Sequence, residues 1–191
     1  MIEARLKTEP LGENYIPSLQ QAQQILWIGC CDSNAKESTV LNILNEELFV
    51  LRNLGNMIID DLSCETTIKH AVVDLQVKHI VVCGHYGCRI VNATSRDGLK
   101  GPWSRQVLLP KNSTNKLDAL YSMHEEDINQ LPVQERDRLF VELNVLDQLR
   151  SLRKFPEVTD AITLERLHIH GLVYDSETEK ARRVLEEQQS Y

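Results

Sequence analysis

Long apolar runs are missing from this 191-residue sequence. Its apolar stretches, such as Ile25–Ile28 and Ile80–Cys83, are short, whereas a membrane-spanning helix needs about 20 apolar residues. An excess of positive charge is missing as well, because 21 Lys and Arg residues against 28 Asp and Glu residues give a net charge of −7. The sequence therefore predicts no membrane partner and no nucleic-acid partner, since the latter would need a basic face.

A secretory signal and a disulfide framework are also absent from the pattern. The first ten residues mix charged and apolar side chains and lack the apolar core of a signal peptide. The chain has five cysteines, an odd number, and Cys30 and Cys31 are adjacent. This is a poor pattern for disulfide pairing and favours metal binding or catalysis in a reducing compartment. We therefore expect a cytoplasmic location.

Linker-like and repeated segments are absent, which predicts one domain over residues 1–191. Short apolar runs predict strands at Ile25–Ile28, Leu48–Leu51, His79–Cys83 and Leu164–Tyr174. Apolar residues at helical spacing predict helices at Ser38–Leu44, Asp60–Val77 and Arg136–Leu152. The alternation of the two predicts an α/β fold, with a central, mainly parallel β-sheet flanked by helices.

Three segments add detail to this prediction. Residues 1–20 are expected to form an N-terminal arm or helix. Residues 97–133 are rich in glycine, proline and polar side chains and are expected to be a loop-rich excursion with one helix, Lys116–Ile128. The helix Arg136–Leu152 has an apolar face wide enough for burial on two sides, and a subunit interface is one candidate for the second side.

Metal-ligand residue types follow two of the predicted strands. Cys30 ends the first strand, and His85 and Cys88 follow the strand His79–Cys83. Ligands of parallel sheets lie beyond the carboxyl ends of the strands, and two thiolates with one imidazole suit tetrahedral zinc with one position left open. The spacing alone leaves a second interpretation, in which the cysteines are small core residues. Asp32 is a candidate fourth ligand or orienting base.

Several ordered motifs resemble the β-class carbonic anhydrases. The first is Cys30-x-Asp32-Ser33, followed about fifty residues later by Gly84-His85-x-x-Cys88. The others are Glu47–Asn56, Val77–His85, Asn144-Val145 and His170-Gly171-x-x-Tyr174-Asp175. The resemblance extends over roughly residues 20–178.

The resemblance implies an activity, a cofactor and an assembly. It implies hydration of carbon dioxide to bicarbonate on one Zn²⁺ per subunit, held by Cys30, His85 and Cys88. It also implies a homodimer, with pairing of dimers into a tetramer as the larger assembly. In the open form of the family, the residue matching Asp32 pairs with an Arg two positions later and accepts a hydrogen bond from water on the zinc. In the closed form it becomes the fourth zinc ligand.

The sequence departs from the family at the position of that Arg, which is Asn34 here. A guanidinium holds a carboxylate with two charge-assisted hydrogen bonds, whereas an amide offers one neutral donor group. We therefore expect Asp32 to be on the metal in the resting protein and hydration to be slow.

A second departure follows Cys88, where the family has Gly-Gly and this chain has Arg89-Ile90. Three interpretations are open: Arg89 and Ile90 narrow the substrate pocket, Arg89 partly replaces the missing cation, or Arg89 caps a helix and points to solvent. Cys31 stands where Ser is usual and is a redox-sensitive neighbour of the site, a thiol that binds the metal in place of a proper ligand, or a small buried residue.

Three functions are compatible with these residues. The first is carbonic anhydrase activity of low turnover. The second is a non-catalytic zinc-binding homodimer with a structural, sensing or bicarbonate-binding role. The third is hydrolysis of a related small molecule such as carbonyl sulfide or carbon disulfide.

Overall fold

The structure is a computed structural model that describes residues 6–12, 15–95 and 111–186. Its strands form one six-stranded sheet in the order β1-β6-β5-β4-β2-β3. The bounds are β1 Leu6–Pro10, β2 Ile25–Cys30, β3 Leu48–Asn53, β4 His79–His85, β5 His168–Asp175 and β6 Lys180–Glu186. Four neighbouring strands, β3, β2, β4 and β5, pair in parallel. Strand β6 pairs antiparallel with β5, and β1 pairs antiparallel with β6. The predicted α/β fold with a mainly parallel sheet is confirmed.

The helices connect the strands and cover the sheet. They are α1 Glu37–Leu41, α2 Leu62–Lys69, α3 Arg89–Ser95, α4 Lys111–Asn129, α5 Val133–Leu152 and α6 Pro156–Thr163. The N-cap residue of helix α2 is Asp61, whose carboxylate accepts hydrogen bonds from the backbone N–H groups of Ser63 and Cys64. Short 3₁₀ helices precede and follow β3, and a π-helical turn extends α2.

Strand β2 is buried along its whole length because both faces of the sheet are covered. On one face, Leu26 and Ile28 belong to the larger core, which includes Phe140 of α5. On the other face, Trp27 belongs to a smaller core that includes Ile16 of the N-terminal segment. This double cover explains why β2 is a continuous apolar run rather than an alternating one.

Two predicted elements are corrected. The N-terminal segment predicted as an arm or helix contains a strand, β1, because Leu6–Pro10 pairs with β6 at the edge of the sheet. Arg182 of β6 strengthens this pairing by donating to both the side chain and the carbonyl of Thr8. The strand predicted at 164–174 begins only at His168, since α6 and the turn after it occupy the preceding residues.

The wide apolar face of α5 is explained within the chain. Its apolar side chains pack against α3, α4, β4 and β5, and Leu139, Phe140 and Val145 are buried without a partner subunit. A subunit interface is therefore not needed to account for this face.

The predicted excursion at 97–133 falls partly outside the described residues, which omit 96–110. The helix predicted at Lys116–Ile128 lies within α4. Among the residues that the structure describes, no helix has both the length and the apolar character needed to cross a membrane.

Candidate metal centre

Three candidate ligands meet at the carboxyl end of the parallel strands. Cys30 is the last residue of β2, His85 is the last residue of β4, and Cys88 follows in the turn that leads into α3. One ligand atom from each of the three lies within 4.8 Å of the other two. The structure therefore brings together the three residues predicted as zinc ligands.

The spacing of the two sulfurs fits a tetrahedral metal. The Sγ atoms of Cys30 and Cys88 are 3.8 Å apart. Two sulfurs bound at about 2.3 Å to tetrahedral zinc would be separated by about 3.8 Å. A metal ion would therefore need little movement of the two cysteines.

The imidazole of His85 provides independent support for a metal site. His85 is only 7% exposed, and its buried Nε2 atom has no hydrogen-bond partner within the described part of the chain. A buried polar atom without a partner is costly, so such atoms are uncommon in folded proteins. A nitrogen left unpaired beside two thiols fits a site for Zn²⁺.

Of the two cysteines, Cys30 is the one that favours the thiolate. The hydrogen bond with Cys88 lowers the pKa of Cys30, while the same bond, together with burial, raises the pKa of Cys88. The Cys30 sulfur also accepts hydrogen bonds from the backbone N–H groups of Asp32 and Gly55, each at 3.3 Å. This arrangement suits metal binding, because zinc takes cysteine as thiolate.

Helix α5 positions one of those donors from the far side of the site. The side chain of Asn144 donates to the carbonyl of Gly55 at 3.0 Å and accepts from Gln148 at 2.8 Å. Gly55 has a φ of 72°, a left-handed conformation that glycine adopts without strain. The sequence identified Asn144 and Gly55 only as members of motifs, and it did not identify Gln148 as a residue of the site. Two amides four residues apart on an apolar helix face were the available signal.

The loop that carries Cys30 is fixed by Arg52 at the end of β3. Its guanidinium donates to the carbonyls of Cys30 and Ser33, both at 2.9 Å, and also to the carbonyl of Ala35. It forms an ion pair with Glu37 as well. Arg52 therefore holds the ligand loop in place rather than taking part in the chemistry directly.

Asp32 lies against Arg89 and is outside the three-ligand cluster. Its Oδ1 accepts from Nε of Arg89 at 2.9 Å and also from Nη2, and its Oδ2 accepts from the backbone N–H of Arg89 at 3.1 Å. These bonds lower the pKa of Asp32. Asn34 is exposed at the surface. The expected closed arrangement, with Asp32 on the metal, is not tested by this contact.

The other residues of interest divide between core and surface. Ile90 is 2% exposed and belongs to the same apolar core as Cys30 and Cys88, while its effect on the pocket stays a prediction. Cys31 is exposed, so the interpretation as a small buried residue is wrong. Whether Cys31 is reactive is not tested by the structure.

Comparison with known proteins gives a consistent result. Residues 25–181 match the family model described as carbonic anhydrase. A carbonic anhydrase of Emericella nidulans is 35% identical over 161 residues, which cover 81% of this chain. The match spans 66% of that relative's length, just under two thirds.

Solved structures extend the likeness to nearly the whole chain. The β-carbonic anhydrase CafD of Aspergillus fumigatus is 40% identical, with a TM-score of 0.77 and coverage of 93% of this chain and 98% of that one. One of two tetrameric β-carbonic anhydrases of Sordaria macrospora is 31% identical, with a TM-score of 0.75 and coverage of 85% and 81%.

Proposed function

The chain belongs to the β-class carbonic anhydrase family, and from that premise we propose that it catalyses the zinc-dependent, reversible hydration of carbon dioxide to bicarbonate. The observation that carries the proposal is the convergence of Cys30, His85 and Cys88 within 4.8 Å. When bound there, zinc would lower the pKa of a water molecule to about 7 and so supply a nucleophile near neutral pH. Three protein ligands leave the fourth position open for that purpose.

The surrounding residues have separate tasks in this proposal. Gly55 and Asp32 donate backbone hydrogen bonds to the Cys30 sulfur, which stabilises the thiolate that the metal needs. The carboxylate of Asp32 is the group that the family resemblance assigns to accept a hydrogen bond from the reacting water. It can do so only while it stays off the metal, which makes its position the controlling feature of the site.

We propose that turnover is low compared with family members that carry Arg at position 34. The donors that hold Asp32 belong to Arg89, whose side chain is 68% exposed. Water and salt screen an exposed ion pair, so it holds its partner less firmly than a shielded one. With zinc bound, Asp32 would therefore leave Arg89 for the open metal position in a minor fraction of molecules.

The assembly and location are also proposals. We propose a homodimer or a tetramer formed from two dimers, which is supported by the tetrameric relative from Sordaria macrospora. Light scattering of the purified protein would identify the assembly, and a monomer would contradict the proposal. A cytoplasmic location is supported by the five cysteines, all of which are unpaired.

Stopped-flow hydration of carbon dioxide by the zinc-loaded protein between about pH 7 and 9 tests the activity. We expect turnover that is slow but clearly above the uncatalysed rate. Background rates with full zinc occupancy would instead support a non-catalytic zinc protein. Hydrolysis of carbonyl sulfide without hydration of carbon dioxide would support the third function.

A further inference from the structure

We infer that Arg89 is the positioning residue that keeps Asp32 off the metal, and thereby replaces from the other side of the site the Arg that the family carries at position 34. The inference rests on the proposed zinc site. It assigns no new step to Arg89, which acts only through Asp32.

The contact between the two residues uses every oxygen of the carboxylate. Oδ1 of Asp32 accepts from both Nε and Nη2 of Arg89, and Oδ2 accepts from the backbone N–H. Two charge-assisted N–H groups of the guanidinium therefore hold Oδ1 while the backbone holds Oδ2, whereas a side-chain amide would offer one neutral donor group. Moving the carboxylate of Asp32 away from Arg89 would break three hydrogen bonds.

The position of Arg89 explains why it can take this role. It follows the ligand Cys88 directly and is the first residue of α3. Its backbone is therefore fixed by the same turn that places the metal ligand, so the side chain starts from a defined point beside the site. Asn34, by contrast, is exposed, and the hydrogen bonds to the Asp32 carboxylate come from residue 89.

The two departures from the family are thereby connected. Loss of Arg at position 34 removes the usual partner of Asp32, and replacement of Gly by Arg at position 89 supplies a new one. The first change alone would release a carboxylate beside a divalent cation. Together the two changes preserve an open metal position.

Cobalt spectroscopy tests this inference without measuring turnover. Zinc is spectroscopically silent because it is d¹⁰, so Co²⁺ is loaded into the protein and sodium azide is used as the probe of the open position. In the wild type, azide is expected to change the visible spectrum. In the Arg89→Gln variant, the apparent azide affinity is expected to fall by about tenfold or more, because only the fraction of sites with Asp32 off the metal can bind the anion.

Two double variants separate positioning from a general disturbance. Adding Asn34→Arg to Arg89→Gln should restore azide binding, because it returns a bidentate partner to Asp32. Adding Asp32→Asn should also restore it, because a neutral amide competes poorly for the metal. Arg153→Gln, at the exposed end of α5, is the matched control and should leave the azide response unchanged.

Unchanged azide binding in Arg89→Gln would overturn the inference. So would a wild-type site that binds Co²⁺ but does not respond to azide, since Asp32 would then already occupy the fourth position. Failure of both double variants to restore binding would show that Arg89 acts by another route. A wild type that takes up no Co²⁺ through its cysteines would refute the zinc proposal itself, which the sulfur-to-cobalt absorption distinguishes from the other outcomes.

Discussion

Residue types that can bind metals lie at both ends of the parallel strands, but only at one end are they arranged as a metal site. At the carboxyl end, which we call the metal edge, lie Cys30, His85 and Cys88. At the amino end, which we call the histidine edge, lie His79, His168 and His170. Within the described residues, only the metal-edge group has its ligand atoms close enough together to share one ion.

At the histidine edge, His79 and His170 are linked by hydrogen bonds. Nδ1 of His79 lies 3.0 Å from Nε2 of His170, and Nδ1 of His170 lies 3.1 Å from the hydroxyl of Tyr15. Burial lowers the pKa of both His79 and His170 to about 4, so the two imidazoles are neutral at pH 7. His168 stacks on His79 with ring centroids 5.4 Å apart.

The difference lies in what remains unpaired. At the metal edge, His85 keeps a buried nitrogen without a partner among the described residues, next to two thiols. At the histidine edge, hydrogen bonds occupy both ring nitrogens of His170 and Nδ1 of His79. Residue type therefore identifies a candidate ligand, while unfulfilled hydrogen-bonding capacity distinguishes a site from a packed cluster.

Loss of a metal-edge ligand should have the largest effect. Replacing Cys88→Ser should reduce bound zinc from about one per chain to near zero, because a hydroxyl is a poor ligand where the site relies on thiolates. Zinc content after gel filtration measures this. His170→Gln is the matched change at the histidine edge and should retain full zinc. Equal loss of zinc in both variants would contradict the claim that only the metal edge binds zinc.

Removing the support of the metal edge should have an intermediate effect. Asn144→Leu leaves the buried carbonyl of Gly55 without its donor, which should cost about 1–3 kcal/mol in the free energy of unfolding. It should also weaken zinc binding by about tenfold, as changes outside the ligand set commonly do. Competition with a chromogenic chelator measures the affinity.

A control separates these two effects of Asn144→Leu. Leu149→Ala lies on the same helix and loses packing against Gly171 on β5, so it should lower stability without weakening zinc binding. If both variants weakened zinc binding equally, the role given to Asn144 would reduce to general stability.

Mild acid should act on the histidine edge in a defined direction. His79 and His170 have a pKa of about 4 when folded and about 6.5 when unfolded. Between these values the unfolded chain binds more protons, so the free energy of unfolding falls as the pH is lowered from about 6.5 to 4. The His170→Gln variant has one titrating imidazole fewer, so its stability should fall less on acidification. The difference in melting temperature between wild type and variant should therefore narrow between pH 7.5 and pH 5, and a constant difference would contradict the account.

Removal of the Tyr15 hydroxyl should have the smallest effect. Tyr15→Phe breaks one partly buried hydrogen bond with His170, worth about 0.5–1.5 kcal/mol. Urea unfolding should detect the loss, while zinc content and azide binding by the cobalt protein should not change. Reduced metal binding would mean that the two edges are coupled through the sheet.

The sequence was sufficient for the parallel core of the fold. Buried parallel strands are continuous apolar runs, so β2 and β4 could be located from their composition. The antiparallel strands β1 and β6 could not, because each is partly exposed and carries charged residues, and β1 pairs only with β6, which is distant in sequence. Short helices such as α3 were missed because seven residues give almost no periodic signal.

The site shows the same division between local and distant information. Cys30, His85 and Cys88 were predicted because thiolates and imidazole have a distinctive chemistry and stand at strand ends. The role of Arg89 was left open, since residues 32 and 89 are far apart in sequence and only the fold shows their contact. Gly55 and Gln148 act through hydrogen bonds to partners distant in sequence, for which the two amides of α5 give only a weak signal.

The crystal structure of the zinc-loaded protein at neutral pH tests the central claim most directly. The account predicts one zinc ion at the metal edge, bound by Cys30, His85 and Cys88, with a fourth ligand that does not come from the protein and with Asp32 still on Arg89. Zinc bound by Asp32 in the fourth position, or found at the histidine edge instead, would contradict it.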